Sequence, residues 1–157
     1  MSYYYQSAFQ STVGTANVDT YLMNIKTIAA SMRATIQKLQ AGSYGPTADT
    51  GIRLQLRRTT TLLTAGTAFV PASMLTDCPP ANALVTTLPT GGALQANAVV
   101  QLAFNSRGTG LWAAFVADEG VGIAGATAGA STSAEIVIDA QTSQISTPVT
   151  WAMLHME

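Results

Sequence analysis

Between residues 17 and 42 the hydrophobic positions recur three and four apart: Val18, Leu22, Ile25, Ile28, Met32, Ile36 and Leu39. That spacing returns to one side of an α-helix at every turn, so it predicts a long amphipathic helix. Asn17 stands where an N-cap would accept a free amide of the first turn. Asp19 falls near the positive end of the helix dipole and Lys38 near the negative end, with Gly42 placed to end the helix. The predicted rod is roughly 34 Å long. Its apolar stripe is narrow, and the other faces are Thr, Ser, Gln and Asn. Three uses fit it: covering a β-sheet of its own chain, pairing with copies of itself, or docking on another protein.

Before the helix, residues 1–16 set Tyr3, Tyr4, Tyr5 and Phe9 among Ser, Gln and Thr, which predicts an extended N-terminal arm. Its rings are suited to anchor on a partner or to fold back on the chain's own domain. Residues 43–51 form a Gly/Pro-rich linker. From residue 52 the period changes to two. Ile52, Leu54 and Leu56 alternate with Arg53, Gln55 and Arg57. The cleanest alternation sets Leu94, Ala96, Ala98, Val100, Leu102 and Phe104 against Gln95, Asn97, Val99 and Gln101. Other strand candidates lie at residues 68–75, 83–88, 111–117, 134–138 and 148–156, separated by turn-forming Gly, Pro, Asn and Asp. Such short strands across residues 52–157 predict an antiparallel β-sandwich, jelly-roll or immunoglobulin-like. No second helical pattern alternates with them, which disfavours an α/β fold. The predicted class is mainly β: an arm, one long N-terminal helix, and the sandwich.

Charge sharpens this picture. The chain has 157 residues, enough for one domain, and only 10% are charged, against about 25% in an ordinary soluble domain. Ala, Thr and Gly dominate instead. Seven basic residues against eight acidic ones leave a net charge of −1, so no nucleic-acid partner is expected. A hydrophobic fraction of 48% argues against disorder. No apolar stretch reaches about 18 residues, so no membrane span is expected. No basic residue precedes Lys26, no apolar leader is visible, and Cys78 is the single cysteine. These features suit synthesis in a reducing cytoplasm. A neutral surface repels its own copies poorly, which points to a homo-oligomer or a subunit of a larger assembly.

Candidate chemistry is sparse. Gly120, Gly122 and Gly125 match a dinucleotide-binding spacing, with Asp139 beyond them. The residues that follow are poor helix formers, and Asp118 and Glu119 would repel a phosphate, so no cofactor is expected. Cys78 and His155 are the only residues of their kinds, too few for a zinc site. They make a conceivable thiol–imidazole pair. Asp118, Glu119 and Asp139 are the available calcium ligands, and a solvated loop is the plainer reading. The basic cluster Arg53, Arg57 and Arg58 is the best pointer to a polar contact surface, reaching carboxylates of a neighbouring subunit or anionic sugars, with a solvated strand face as the plainer reading.

Taken in order, the arm at 1–16, the helix at 17–42 and the charge-poor β-domain at 52–157 resemble virion structural proteins of tailed bacteriophages, of the head-decoration or cement type. The resemblance is one of composition and order. It implies a non-enzymatic protein of the virion, made in the host cytoplasm and bound in many copies over the joints of a capsid. It also implies the major capsid protein or other virion subunits as partners. Tyr3, Tyr4, Tyr5, Phe9, Arg53, Arg57 and Arg58 are then the expected contacts. The alternative is a trimeric phage fibre or receptor-binding module, with the helix as stem and the β-domain as a glycan-binding head. A monomeric hydrolase using Cys78 or His155 is a third reading.

Overall fold

The computed structural model describes residues 2–27, 29, 31–43, 50–105, 107–114, 120–123, 135–144 and 147–157. Every regular element among them is a strand. In chain order these are β1 (Tyr4–Val13), β2 (Thr20–Lys26), β3 (Ala34–Gly42), β4 (Gly51–Thr61), β5 (Ala65–Phe69), β6 (Ala72–Ser73) and β7 (Leu84–Thr90). Then come β8 (Ala93–Leu94), β9 (Val100–Asn105), β10 (Thr109–Ala113), β11 (Val121–Ile123), β12 (Glu135–Thr142) and β13 (Thr147–Met156). They form two antiparallel sheets. Sheet A has the order β10-β3-β13-β1-β6, with β11 also on β3. Sheet B has the order β5-β7-β2-β12-β4-β8, with β9 also on β4.

Four pairings nest inside one another: β1 with β13, β2 with β12, β3 with β10, and β4 with β9. The chain is thus a long antiparallel ribbon whose successive pairs fall alternately in sheet A and sheet B. Rolled in this way, the ribbon is a jelly roll, one of the two sandwich orders that the alternation left open. Leu22, Met23, Ile25, Ile36, Leu39, Leu54, Leu56, Ile136, Ile138, Val149, Trp151 and Met153 fill the space between the sheets.

The long N-terminal helix expected over residues 17–42 is absent. Its apolar stripe is divided between β2 in one sheet and β3 in the other, and two β-bulges account for the helical spacing. Met23 pairs with Ile138 and Tyr21 with Asp139, so Leu22 is an extra residue in β2. Lys38 pairs with Leu154 and Ile36 with His155, so Gln37 is extra in β3. A bulge inserts one residue and locally turns a spacing of two into three. Leu22 and Ile25, and again Ile36 and Leu39, therefore reach one core while standing three apart. The β-branched residues Thr20, Ile25, Thr35 and Ile36 favour the strand. Asn17 caps nothing: it sits at φ 58 in a turn and donates its backbone N–H to Thr142. Ile28 and Ala30 lie outside the described residues.

Of the predicted arm, Tyr4–Val13 is extended as β1 but joined to the sandwich. β1 pairs with β13 from Tyr4↔Met156 to Val13↔Thr147 and with β6 on its other side. Tyr5, Ser7 and Val13 are buried, while Tyr4, Gln6, Ala8, Gln10 and Thr12 face out. β1, β2 and β3 supply strands to both sheets, so the sandwich reaches well before residue 52. Of the linker, residues 44–49 lie outside the described residues.

Ile36 is fully buried, whereas Val18, on the same supposed helical stripe, is half exposed. Ile36→Ala is expected to cost about 3 kcal/mol and Val18→Ala less than about 0.5 kcal/mol. Urea unfolding of the two variants checks this, and equal losses would count against the strand assignment.

Candidate functional site

The outer face of sheet B carries a network of charged side chains. Arg53, Gln55 and Arg57 alternate along β4 and turn away from the core that Leu54 and Leu56 join. Across the ladder, Asp139 of β12 lies opposite Gln55. Arg57 grips the Asp139 carboxylate with both ends of its fork, Nε to Oδ1 at 2.9 Å and Nη2 to Oδ2 at 2.8 Å. The same Nη2 reaches Asp19, in the turn between β1 and β2, and Arg53 pairs with the other Asp19 oxygen at 3.3 Å. Arg58 takes a different course and donates to the backbone carbonyl of Gly122 at 2.9 Å, joining β4 to the edge of sheet A. Each arginine of the basic cluster thus has a partner within its own chain.

Burial dominates the protonation of this network. It pushes the Asp139 carboxyl from the ordinary 3.8 to about 6, outweighing the pull of Arg57 in the other direction. Burial also opposes the charge on Arg57, but the hydrogen bonds to Asp139 and Asp19 win and raise its pKa. Beside this network, the fully buried Glu135 accepts from Asn24 and from the Leu63 amide.

A second cluster ties both ends of the described chain to the loop after β6. The Tyr5 ring stacks on the His155 imidazole with centroids 5.4 Å apart. Its hydroxyl donates to the Pro79 carbonyl at 2.9 Å and lies 3.5 Å from the Cys78 sulfur. His155 Nε2 faces Glu157 Oε1 at 3.3 Å, and the same carboxylate accepts the amides of Asn82 and Ala83 at 2.8 Å. Burial pushes the Glu157 carboxyl up, yet these hydrogen bonds hold it below its ordinary value. Burial and the thiol together push the Tyr5 hydroxyl well up.

The structure therefore brings Cys78 and His155 onto the same tyrosine but not onto each other. The thiol meets the hydroxyl, while the imidazole is fully buried beneath the ring. Ser7 Oγ and His155 Nδ1 are both buried without a hydrogen-bond partner, so they do not engage one another. Of the other expected contacts, Tyr3 exchanges two backbone hydrogen bonds with Glu157, and Tyr4 is partly exposed on the outer face of sheet A. Phe9 turns its edge to Phe69 and Trp151.

Gly122 lies within strand β11, paired with Thr35, and not at the start of a helix. A Cβ on Gly120 would stand 2.4 Å from the Thr35 methyl, so close packing against β3 explains that glycine. Gly125, Asp118 and Glu119 lie outside the described residues. Among the described residues, no group of three or more His, Cys, Asp or Glu side chains could hold a metal ion.

No family model and no curated protein matches this chain. Its surfaces must speak for it, and two of them are unusually neutral. Between Arg58 and Arg107 the only charged residue is Asp77. This stretch includes β5 at the edge of sheet B and β6 at the edge of sheet A, and it exposes Val70, Met74, Leu75, Leu84, Leu88 and Val99.

The other neutral surface is the outer face of sheet A. Register lays its side chains in rows: Gln6, Leu154, Lys38 and Ala113; then Ala8, Ala152, Gln40 and Leu111; then Gln10, Thr150, Gly42 and Thr109. Lys38 is the one charged residue in these rows. The small residues Ala8, Ala152, Gly42 and Thr150 line a shallow depression of about 530 Å³ across the face. The face is not legible in the sequence, because β1 reads there as an arm and β3 as part of a helix, and only β13 reads as the strand it is. The alternation of Gln6, Ala8, Gln10 and Thr12 with Tyr5, Ser7, Phe9 and Ser11 was its available signal.

Two outcomes test the charged network. Arg57→Ala leaves the Asp139 carboxyl buried and unpaired, so it should cost about 3 kcal/mol, whereas Arg53→Ala, at a half-exposed pair, should cost under about 1 kcal/mol. By NMR titration the Asp139 carboxyl should take up its proton near pH 6, and a midpoint near pH 4 would contradict its burial. Because the folded-state value is raised, the contribution of this group to stability is largest below pH 4 and is lost as pH rises through about 6.

Proposed function

We propose that this chain is a non-enzymatic structural subunit of a viral particle, of the head-decoration kind, bound in many copies to a capsid shell. Its place is then the virion, after synthesis in the host cytoplasm, and its partner is the major capsid protein or another virion subunit. The observation that carries the reading is the exposure of Val70, Met74 and Leu75, which flank β6 in the charge-poor stretch between Arg58 and Arg107. Val70 is 83% exposed, and Leu75 and Met74 are each more than half exposed. A free protein gains nothing from showing such a patch to water, whereas a permanent interface is depleted of charge at its centre. Attachment then runs through this segment rather than through a helix. Each bound copy adds its binding free energy to the stability of the shell.

The jelly roll serves viral capsid and lectin domains alike, so the fold is neutral between the two. The fibre alternative loses on particulars. Its stem required the helix over residues 17–42. Its glycan-binding head required exposed rings, whereas Trp151 is buried and Trp112 is half-buried against the core.

Purified particles of the encoding virus should contain the chain in many copies. Shells lacking it should lose heat resistance and regain it when the protein is added back. Val70→Glu and Leu75→Glu should block re-binding while changing the stability of the free chain by no more than about 0.5 kcal/mol. Particles that contain none of the chain, or shells indifferent to its removal, would overturn the reading.

A further inference from the structure

We propose that residues 74–83, between β6 and β7, form a strap that opens from the sandwich as one unit, latched by the Glu157 carboxylate and the Tyr5 hydroxyl. The opening is a property of the free chain and does not need the virion reading. Within the strap only Ala83 is buried and Cys78 and Ala81 are half-buried, while the other residues are exposed. Lifting it therefore bares little apolar surface, and segments of that kind open at far lower cost than a core strand.

Polar contacts fasten it instead, and they converge on two side chains. Glu157 accepts the amides of Asn82 and Ala83 at 2.8 Å each. Tyr5 donates its hydroxyl to the Pro79 carbonyl at 2.9 Å, and the Cys78 sulfur lies 3.5 Å from the same oxygen. At the other end, the Met74 amide donates to the Tyr4 carbonyl at 3.0 Å. That bond lies beside the short pairing of β6 with β1. Bonds to a carboxylate are charge-assisted and stronger than those between neutral groups, so Glu157 is the main fastening.

Two features make the fastenings act together. The His155 imidazole stacks on Tyr5 with centroids 5.4 Å apart and sets Nε2 3.3 Å from Glu157 Oε1, so one ring braces both. Within the strap, Pro79 and Pro80 fix φ between the carbonyl held by Tyr5 and the amides held by Glu157. A release at either point is carried through this stiff stretch to the other. Met74 and Leu75, each more than half exposed, ride on the strap. A partner that seats on their closed arrangement holds the strap shut, because a ligand favours the state it binds better; this consequence rests on the virion reading.

Amide hydrogen exchange of the full chain tests the proposal. In the wild type, Met74, Asn82 and Ala83 should share one opening constant, at least about 100-fold larger than that of Ile138 in the central strand β12. Glu157→Ala should raise it at least about 10-fold at all three amides, including Met74, which is bonded to Tyr4 and not to Glu157. Tyr5→Phe keeps the stacked ring and removes only the hydroxyl; it should speed Asn82 and Ala83 about 3-fold or more, and it decides the matter if Glu157→Ala fails to fold. Ile36→Ala, in the core, should speed Ile138 and leave the strap amides as they are. Strap amides that exchange no faster than Ile138, or a Met74 amide indifferent to Glu157→Ala, would overturn the proposal. On virus particles Asn82 and Ala83 should exchange more slowly than in the free chain. Bound chain with these amides unchanged would instead overturn attachment through Met74 and Leu75 and leave the strap standing.

Discussion

Hydrogen bonding between β1 and β13 brings the two ends of the chain together, and every other main pairing lies inside it. Closing such long loops costs entropy before any contact repays it, although the cost grows slowly with loop length. The repayment comes from a ladder of ten paired positions, Tyr4↔Met156 to Val13↔Thr147, and from Val149, Trp151 and Met153 entering the core. The outer face of sheet A exists only because β1 and β13 lie side by side. The stacking of Tyr5 on His155, and the carboxylate of Glu157 on the amides of Asn82 and Ala83, then hold the β6–β7 loop against the same pair. Strand pairing this remote in sequence implies slow folding relative to a helical protein of the same length.

The scarcity of charge acquires a direction once the sheets are placed. Asp19, Arg53, Arg57 and Asp139 neutralise one another on sheet B, so these ions are spent inside the subunit. Sheet A and the stretch between Arg58 and Arg107 keep almost none. The two adjoin, since Met74 lines one hollow with Gln6, Lys38, Gln40 and Leu154 of sheet A, and so little charge suits a part of a larger assembly. The one thiol and the one imidazole both contact Tyr5.

How far the sequence could be read follows from how local each signal was. Ile52, Leu54 and Leu56, and again Val100, Leu102 and Phe104, alternate without interruption and form strands as their period predicts. The stripe from Leu22 to Leu39 misled because Leu22 and Gln37 are bulge residues, and a bulge is defined by the strand opposite it. β1 was obscured in another way: Ser7 and Ser11 occupy inward positions where an apolar residue would have marked a strand. The arginine cluster was visible, but its partners Asp19 and Asp139 lie far off in the chain.

By itself the sequence determined the β character from residue 52 onward, the sandwich, the neutrality and the poverty of chemical groups. These depend on composition and on a period of two, which neighbouring residues carry between them. Tertiary structure alone decided that residues 17–42 would be two strands in opposite sheets. It also decided that the arginines would be satisfied within the chain, and that small and large side chains would alternate across one open face. Each of those outcomes depends on which strand lies beside which, and long-range pairing leaves no periodic trace in either partner.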